Sequence, residues 1–224
     1  MHTVIMQNPV WTVSALTHGS RNTIGFMDGA HEIQVEDPLA LFDQWMKDAV
    51  GQEINDPNAV ALATATADGR PSVRMVLAKQ VQGHRFAFFT SGESRKGVEL
   101  ARNPRAALCF HWKSLRKQIR VEGAVSPLPD TEVDAYFHSR SRASQIGAAV
   151  SQQSRVLESR QELEARVDTF TRLHPGEIPR PNYWRGFKLE PEQIEFWNDG
   201  AHRLHDRFLF TRAGERWTRA RLYP

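Results

Sequence analysis

The sequence predicts a β-rich α+β fold, an antiparallel barrel with helices packed around it. Three observations point there. Strand-length runs follow one another from Ala59 onward. Turn formers separate them, Asp68-Gly69-Arg70-Pro71 after the first run and Gln82-Gly83 after the second. Only a few helix signals fall between the strands, a pattern that suits a barrel with outer helices.

Taken in order, residues 1–34 have weak periodicity and scattered Gly, Asn and Thr, and read as a partly flexible arm. Asp37-Pro38 then gives an N-cap followed by Pro at the first helical position. Leu41, Phe42, Trp45, Met46 and Ala49 continue at helical spacing. Strands are expected over Ala59–Thr66, Ser72–Lys79, Arg85–Thr90, Ala106–Trp112 and Gln118–Val125. Ser94 caps a short helix that ends before Pro104, and Asp130 caps another running to about Ser139. A longer helix is expected over Arg155–Leu173, with Leu163, Val167 and Phe170 on one side. After a stiff loop at Pro175, Pro179 and Pro181 come four short strands: Gly186–Glu190, Gln193–Trp197, Leu204–Thr211 and Arg216–Leu222. No linker rich in Gly, Ser or Pro divides the chain, so 35–224 reads as a single domain.

Composition narrows the function classes. The chain has 224 residues, 40% apolar and 25% charged, which is globular and not disordered. With 29 basic and 26 acidic residues the net charge is +3, too small and too dispersed to imply nucleic acid. Cys109 is the only cysteine, so neither an internal disulfide nor a cysteine zinc site is available. Its apolar neighbours predict a buried thiol. His202 and His205 do not have the spacing of a typical metal pair, and no metal is expected. No apolar window reaches the ~18 residues of a membrane helix, and a cytoplasmic location is the expectation. The G-x-G-x-x-G, P-loop and G-x-S-x-G motifs are absent.

The segment Glu195–Arg207 carries most of the chemistry. If residues 203–207 are extended, Arg203, His205 and Arg207 project from one face. Three potentially cationic groups together suit an anion or an electron-poor ring; they also suit an exposed edge that resists aggregation. Arg74 and Lys79 differ in parity on one expected strand and would face opposite sides. Arg95 and Lys96 open a helix, where cations normally avoid the positive dipole end, so a phosphate there is one reading and a solvated cap the other. Tyr136, Arg140 and Ser144 recur every four residues and would align on a continuous helix as a phosphate grip. Gln153 and Ser154 add polar groups before the long helix, and Ser154 also fits an ordinary N-cap.

Together these stretches resemble the pyridoxine/pyridoxamine 5′-phosphate oxidase family over about residues 36–224. The matching runs are Arg74–Lys79, Phe89–Lys96, Tyr136–Arg140, Ser144–Gly147, Ser151–Ser154, Ile194–Trp197, Arg203–Arg207 and Arg221–Pro224. The resemblance implies an FMN-binding split β-barrel working as a homodimer, with FMN at the subunit interface. It implies FMN contacts at Arg74, Met75, Val76, Leu77, Phe89, Thr90, Arg95, Lys96, Gln118, Gln153, Ser154, Trp197 and Arg207. It implies a grip on the substrate phosphate by Lys79, Tyr136, Arg140 and Ser144. Arg203 and His205 would face the substrate ring as the catalytic pair. The reaction implied is oxidation of pyridoxamine or pyridoxine 5′-phosphate to pyridoxal 5′-phosphate by FMN and dioxygen.

Departures from the family pattern are visible. Ile24 stands where a Tyr commonly follows an Arg such as Arg21, Trp184-Arg185-Gly186 replaces Trp-Gly-Gly, Lys117-Gln118 replaces Arg-Gln, and Ala149 replaces a common Trp. Two further readings compete. One is a flavin oxidase of secondary metabolism, such as those of phenazine biosynthesis, whose substrates carry no phosphate. The other is a non-catalytic carrier of flavin or pyridoxal phosphate.

Overall fold

The computed structural model describes residues 35–81 and 83–224. The arm expected over 1–34, with Arg21 and Ile24, and the Gln82 half of the second turn lie outside the described residues.

Helix α1 (Pro38–Gln52) starts where the capping signal places it, with Asp37 Oδ1 accepting from the Leu39 amide at 2.9 Å. It buries Leu41, Phe42, Trp45, Met46 and Ala49 against the sheet. Strands β1 (Ala59–Ala65) and β2 (Pro71–Leu77) form a hairpin, followed by β3 (Lys79–Val81), β4 (His84–Ser91) and helix α2 (Arg95–Arg102). Next come β5 (Arg105–Trp112), β6 (Lys117–Pro127), α3 (Asp130–Ser139), α4 (Arg142–Val150) and α5 (Arg160–Leu173). The chain closes with β7 (Trp184–Asn198), a 3-10 turn at Ala201–Arg203, β8 (Asp206–Ala213) and β9 (Arg216–Leu222).

The strand order is β2-β1-β5-β6-β7-β4-β3, each neighbouring pair antiparallel, with β8 and β9 extending from β7. Two features make this sheet a split barrel. First, β2 and β3 lie at opposite ends of the strand order yet are joined through Ala78 alone, so the sheet curls until its ends meet. Second, β7 shares one edge between two partners: its start pairs with β4 and its end with β8, while β6 runs along its other edge. The expected Gly186–Glu190 and Gln193–Trp197 strands are therefore one strand. Pro191 does not interrupt it, because Pro191 sits beside a register shift opposite Gly123. A Cβ on Gly123 would lie 1.9 Å from the Glu190 carbonyl oxygen, so only glycine lets the strands approach there.

The barrel core is aromatic. Phe42 meets Phe86 and Phe110 edge-on at 4.8 and 5.3 Å, and Phe196 meets Trp45 and Phe210 at 5.2 and 5.7 Å. Each of these buried phenylalanines contributes about 1.5–3 kcal/mol. A second core of Leu128, Val133, Phe137, Ile146, Ile178 and Trp184 lies under α3 and α4. Val167 and Phe170 of α5 pack on it, as their side of that helix predicts.

Several local expectations need correction. Helix α3 has Pro129 at its N-cap and no side-chain cap bond; Asp130 lies in its first turn. Helix α5 begins at Arg160, capped by Ser159, because residues 151–159 are drawn off toward α2. Helix α4 lacks a long apolar stripe and was not foreseen. Cys109 is half-buried, not fully buried, because it faces away from the Leu108–Phe110 core side of β5; that partial burial still pushes its thiol pKa upward. No helix among the described residues is long and apolar enough to cross a membrane, and no cluster of three metal-ligating side chains occurs among them.

Candidate active site

The functional side chains gather into three groups. The first surrounds the start of α2. Ser94 caps that helix through Gly97, and Lys96 is folded back into the protein, 7% exposed. Its Nζ donates to Thr90 Oγ1 at 3.0 Å and Gln153 Oε1 at 2.9 Å. Burial pushes its pKa down, and the like charge of Arg74 pushes it further down. Ser154 is not a helix cap; its hydroxyl accepts from the Arg95 amide at 3.1 Å. The loop before α5 therefore brings Gln153 and Ser154 onto the N-terminus of α2.

One residue in this group was missed at the sequence level. Glu99 is 4% exposed and accepts from Thr64 Oγ1 and Ser72 Oγ, both at 2.5 Å, and from Arg95 Nε at 2.9 Å. Arg74 lies 3.5 Å from the same carboxylate and also donates to Thr64 Oγ1 at 2.6 Å. Burial alone would raise the Glu99 pKa, but these hydroxyls and guanidinium groups pull it down to about 2. Glu99 thus fixes two of the expected cofactor-binding arginines. The signal for it was the Arg95–Glu99 spacing of four.

The second group lies on the other side of β4, since Phe89 and Thr90 alternate. Phe89 stacks on Tyr136 at 4.0 Å and on Trp184 at 5.2 Å. Arg140 lies over the Trp184 ring at 5.1 Å, and its Nη1 is buried with no hydrogen-bond partner. Burial lowers the Arg140 pKa. Lys79 is lowered chiefly by burial, partly offset by Asp56, and the Arg140 charge lowers it again, so these two cations share one region. Arg180 holds the group in place: its Nε donates to Asp134 of α3 at 2.5 Å, and Nη1 donates to the Trp184 carbonyl at 2.8 Å.

Two expectations about this group change. Arg74 and Lys79 do not share a strand, because β2 ends at Leu77 and Lys79 opens β3. Tyr136, Arg140 and Ser144 do not share a helix either. The backbone turns extended at Arg140 (φ −76°, ψ 155°), and α4 restarts with Ser141 as its N-cap. The break places Arg140 just before a helix N-terminus, which itself favours an anion. Ser144 is exposed in that first turn and accepts from Ser141 Oγ at 2.9 Å.

The third group is at the far end of β7. Gln118, Trp197 and Arg207 are direct cross-strand neighbours and share one sheet face. Arg207 Nε donates to buried Glu195 at 2.8 Å, a pairing that raises its pKa and satisfies much of its charge. The expected Arg203–His205–Arg207 strand face does not form. His202 and Arg203 adopt left-handed backbone (φ 57° and 65°) in the 3-10 turn, and strand β8 begins only at Asp206. A Cβ on Gly200 would sit 2.1 Å from the Leu204 carbonyl oxygen, so glycine permits this tight return. Arg203 is exposed, and His205 packs against Trp197 at 4.6 Å.

Within one chain, the third group is remote from the first two. Phe89 pairs with Gly186 and Arg207 with Trp197, separated by about 35 Å of strand path at ~3.3 Å per residue. On β2, Met75 and Leu77 point to solvent, 63% and 43% exposed, while Arg74 and Val76 turn the other way.

The pyridoxamine 5′-phosphate oxidase family model matches residues 46–174, and the pyridoxine 5′-phosphate oxidase C-terminal dimerisation region matches residues 184–224. The chain belongs to the pyridoxine/pyridoxamine 5′-phosphate oxidase family. The family member of Sphingopyxis alaskensis is 56% identical over 190 residues, covering 84% of this chain and 88% of its own. That of Rhodospirillum rubrum is 55% identical over 198 residues, covering 86% and 98%. Among solved structures, PhzG from Burkholderia lata in complex with tetrahydrophenazine-1-carboxylic acid superposes with TM-score 0.80 at 33% identity, covering 86% of this chain and 95% of that one. A pyridoxamine 5′-phosphate oxidase-related, FMN binding protein from Nostoc punctiforme shares the fold, with TM-score 0.68 at 17% identity over 86% of this chain and all of that one.

Proposed function

We propose that this chain oxidises pyridoxamine and pyridoxine 5′-phosphates to pyridoxal 5′-phosphate with FMN as cofactor, reducing dioxygen to hydrogen peroxide. The observation that carries this reading is a buried lysine and a half-buried arginine with no carboxylate partner among the described residues. Lys96 sits in one cradle and Arg140 in the other, on adjoining parts of the fold. A buried cation left with neutral partners is costly unless an anion completes it. Two separate phosphate esters, one of cofactor and one of substrate, satisfy both.

The donor set around α2 fits FMN. Arg74, Arg95, Lys96, Thr90, Gln153 and Ser154 would hold its phosphate at the helix N-terminus. Phe89, Val76, Met75 and Leu77 would line its path, and Gln118, Trp197 and Arg207 would meet its ring system. FMN, when bound, supplies the hydride acceptor and the route of electrons to dioxygen. Lys79, Tyr136, Arg140 and Ser144 grip the substrate phosphate. That grip orients the pyridine ring so that C4′ reaches the flavin, with Arg203 and His205 over its other side.

The separation along β7 supports a homodimer with FMN at the subunit interface. Trp197, Arg203, His205 and Arg207 of one copy would complete the cradles of the other. The exposed apolar row Val73, Met75 and Leu77 on β2 suits burial against that second copy. A phosphate-free substrate of the kind bound by PhzG is the runner-up, supported by the likeness at 33% identity. The higher identity to the vitamin B6 oxidases and the unpaired Arg140 favour the phosphorylated substrate.

The test is peroxide release by the yellow, FMN-loaded protein with pyridoxamine 5′-phosphate and with pyridoxamine. Turnover at least about a hundredfold more efficient on the phosphate ester is expected, since charge-assisted bonds contribute ~1.5–3 kcal/mol each. Equal efficiency on both would contradict the phosphate grip, and flavin colour without turnover would point to a carrier.

A further expected result concerns Gly97. A Cβ there would lie 2.4 Å from the Gly92 carbonyl oxygen, and both partners are backbone. Gly97→Ala should displace the start of α2 at a cost of about 1–3 kcal/mol, weakening FMN by about tenfold or more while the fold persists. Quenching of FMN fluorescence on titration measures it.

A further inference from the structure

We infer that Asp199 is a positioning residue that sets the tautomer of His205 and so makes His205 Nε2 a proton acceptor for the alcohol substrate. This rests on the reading above, in which His205 faces the substrate ring. The geometry is a chain of three groups. Asp199 Oδ1 lies 3.0 Å from His205 Nδ1, and Asp199 Oδ2 pairs with Arg116. The Asp199 amide also donates to the Arg116 carbonyl at 3.1 Å, so the carboxylate is anchored from both its backbone and its side chain. The aspartate and histidine side chains are only 17% and 22% exposed. Trp197 against the imidazole limits its rotation.

A second neighbour competes for the same nitrogen. The Gly200 amide lies 3.1 Å from Nδ1 and is directed at it as a donor. The two contacts demand opposite states: Nδ1 carries its proton toward Asp199, or holds a lone pair toward Gly200. A lone pair held 3.0 Å from a carboxylate is repelled by it. The Asp199 contact is an ion-pair distance and the Gly200 contact a hydrogen bond; the full carboxylate charge 3.0 Å from Nδ1 outweighs the neutral amide, so the Asp199 contact prevails. The proton then sits on Nδ1 and the lone pair on Nε2.

That choice matters for the chemistry. Oxidation of a C4′ alcohol to an aldehyde removes a hydride from carbon, which goes to the flavin, and a proton from oxygen, which needs an acceptor. Nε2 with its lone pair takes that proton; Nε2–H does not. The logic is a base oriented by a third group. Asp199 itself touches neither substrate nor cofactor in this assignment.

The experiment pairs spectroscopy with kinetics on Asp199→Asn, which keeps the shape and removes the charge. Nitrogen NMR of His205 in the FMN-loaded full chain should show pyrrole-like Nδ1 and pyridine-like Nε2 in the parent. The variant should show the reverse, because the Asn amide and Gly200 then both donate to Nδ1. The kcat for pyridoxine 5′-phosphate should fall about a hundredfold, with KM little changed, and Asp199→Glu should recover part of it. A parent with the proton on Nε2, or a variant with reversed tautomer and unchanged kcat, would overturn the assignment. A parent with the expected tautomer but no oxidase turnover on any vitamin B6 ester would instead bring down the function on which it rests.

Discussion

Replacing Arg140 with Ala should raise KM for pyridoxamine 5′-phosphate by about a hundredfold to ten-thousandfold, because two charge-assisted bonds at ~1.5–3 kcal/mol each are lost. The guanidinium is half-buried, its charge is disfavoured by desolvation, and one of its nitrogens has no partner. In the proposed function a bound phosphate ester compensates that cost. The phosphate lies away from the reacting carbon, so kcat should fall much less than kcat/KM. The dephosphorylated substrate should respond weakly, and the two substrates should converge in the variant. Arg140→Lys keeps the charge but loses the planar fork and the stacking on Trp184, and should lie between parent and Ala. Steady-state peroxide assays on both substrates give the comparison. Ligand-free stability should change little, since the substitution removes an unpaired buried charge along with the Trp184 contact.

Glu99→Gln should lower stability by about 1–3 kcal/mol at neutral pH, allowing for solvent screening around Arg95, which is 61% exposed. Two arginines lose their shared counter-ion, so FMN should also be held more weakly. The pH dependence has a definite sign. The Glu99 pKa is depressed from 4.5 to about 2 in the folded chain. Its stabilisation is therefore complete above pH 4.5 and is lost as pH falls toward 2. The gap in melting temperature between parent and variant, roughly 3–10 °C at pH 7 for a chain of this size, should close over that interval. Thermal melts at pH 7, 4 and 3 would show it. A gap that stayed constant down to pH 3 would contradict the pairing.

Much of the scaffold was legible because its signals are local. Asp37-Pro38 fixes the start of α1 through one side-chain bond and one constrained ring, and Ser94 fixes that of α2 through its side-chain bond alone. Alternation in β4 was readable, though not that its two faces would serve two different cradles. What the sequence left hidden is non-local. Pro191 looked like a strand break because the glycine opposite it, Gly123, belongs to another strand. Arg203 looked extended because nothing local marks two consecutive left-handed residues; the cause is the close approach of Gly200 to Leu204. The spacing of Tyr136, Arg140 and Ser144 would align them only on a continuous helix, whereas Gln145 Nε2 donates to the Arg140 carbonyl at 2.9 Å and stabilises the break there. For the site, motif matching gathered the residues into one set, but the register of β7 divides them into ends of a single chain. Glu99, Arg180 and Asp199 stand behind the functional groups and carry no motif of their own.

In the proposed dimer each site takes its anion cradles from one chain and its Trp197–Arg207 segment from the other. Mixed dimers of Lys96→Met and Arg203→Ala chains, isolated through two different tags, test it most directly. Arg203 is exposed, so its replacement leaves the fold intact. Shared sites would place both defects in one site and leave the other intact, giving about half the parent turnover per dimer. Mixed dimers no faster than the mean of the two single-variant proteins would show that each chain builds its site alone.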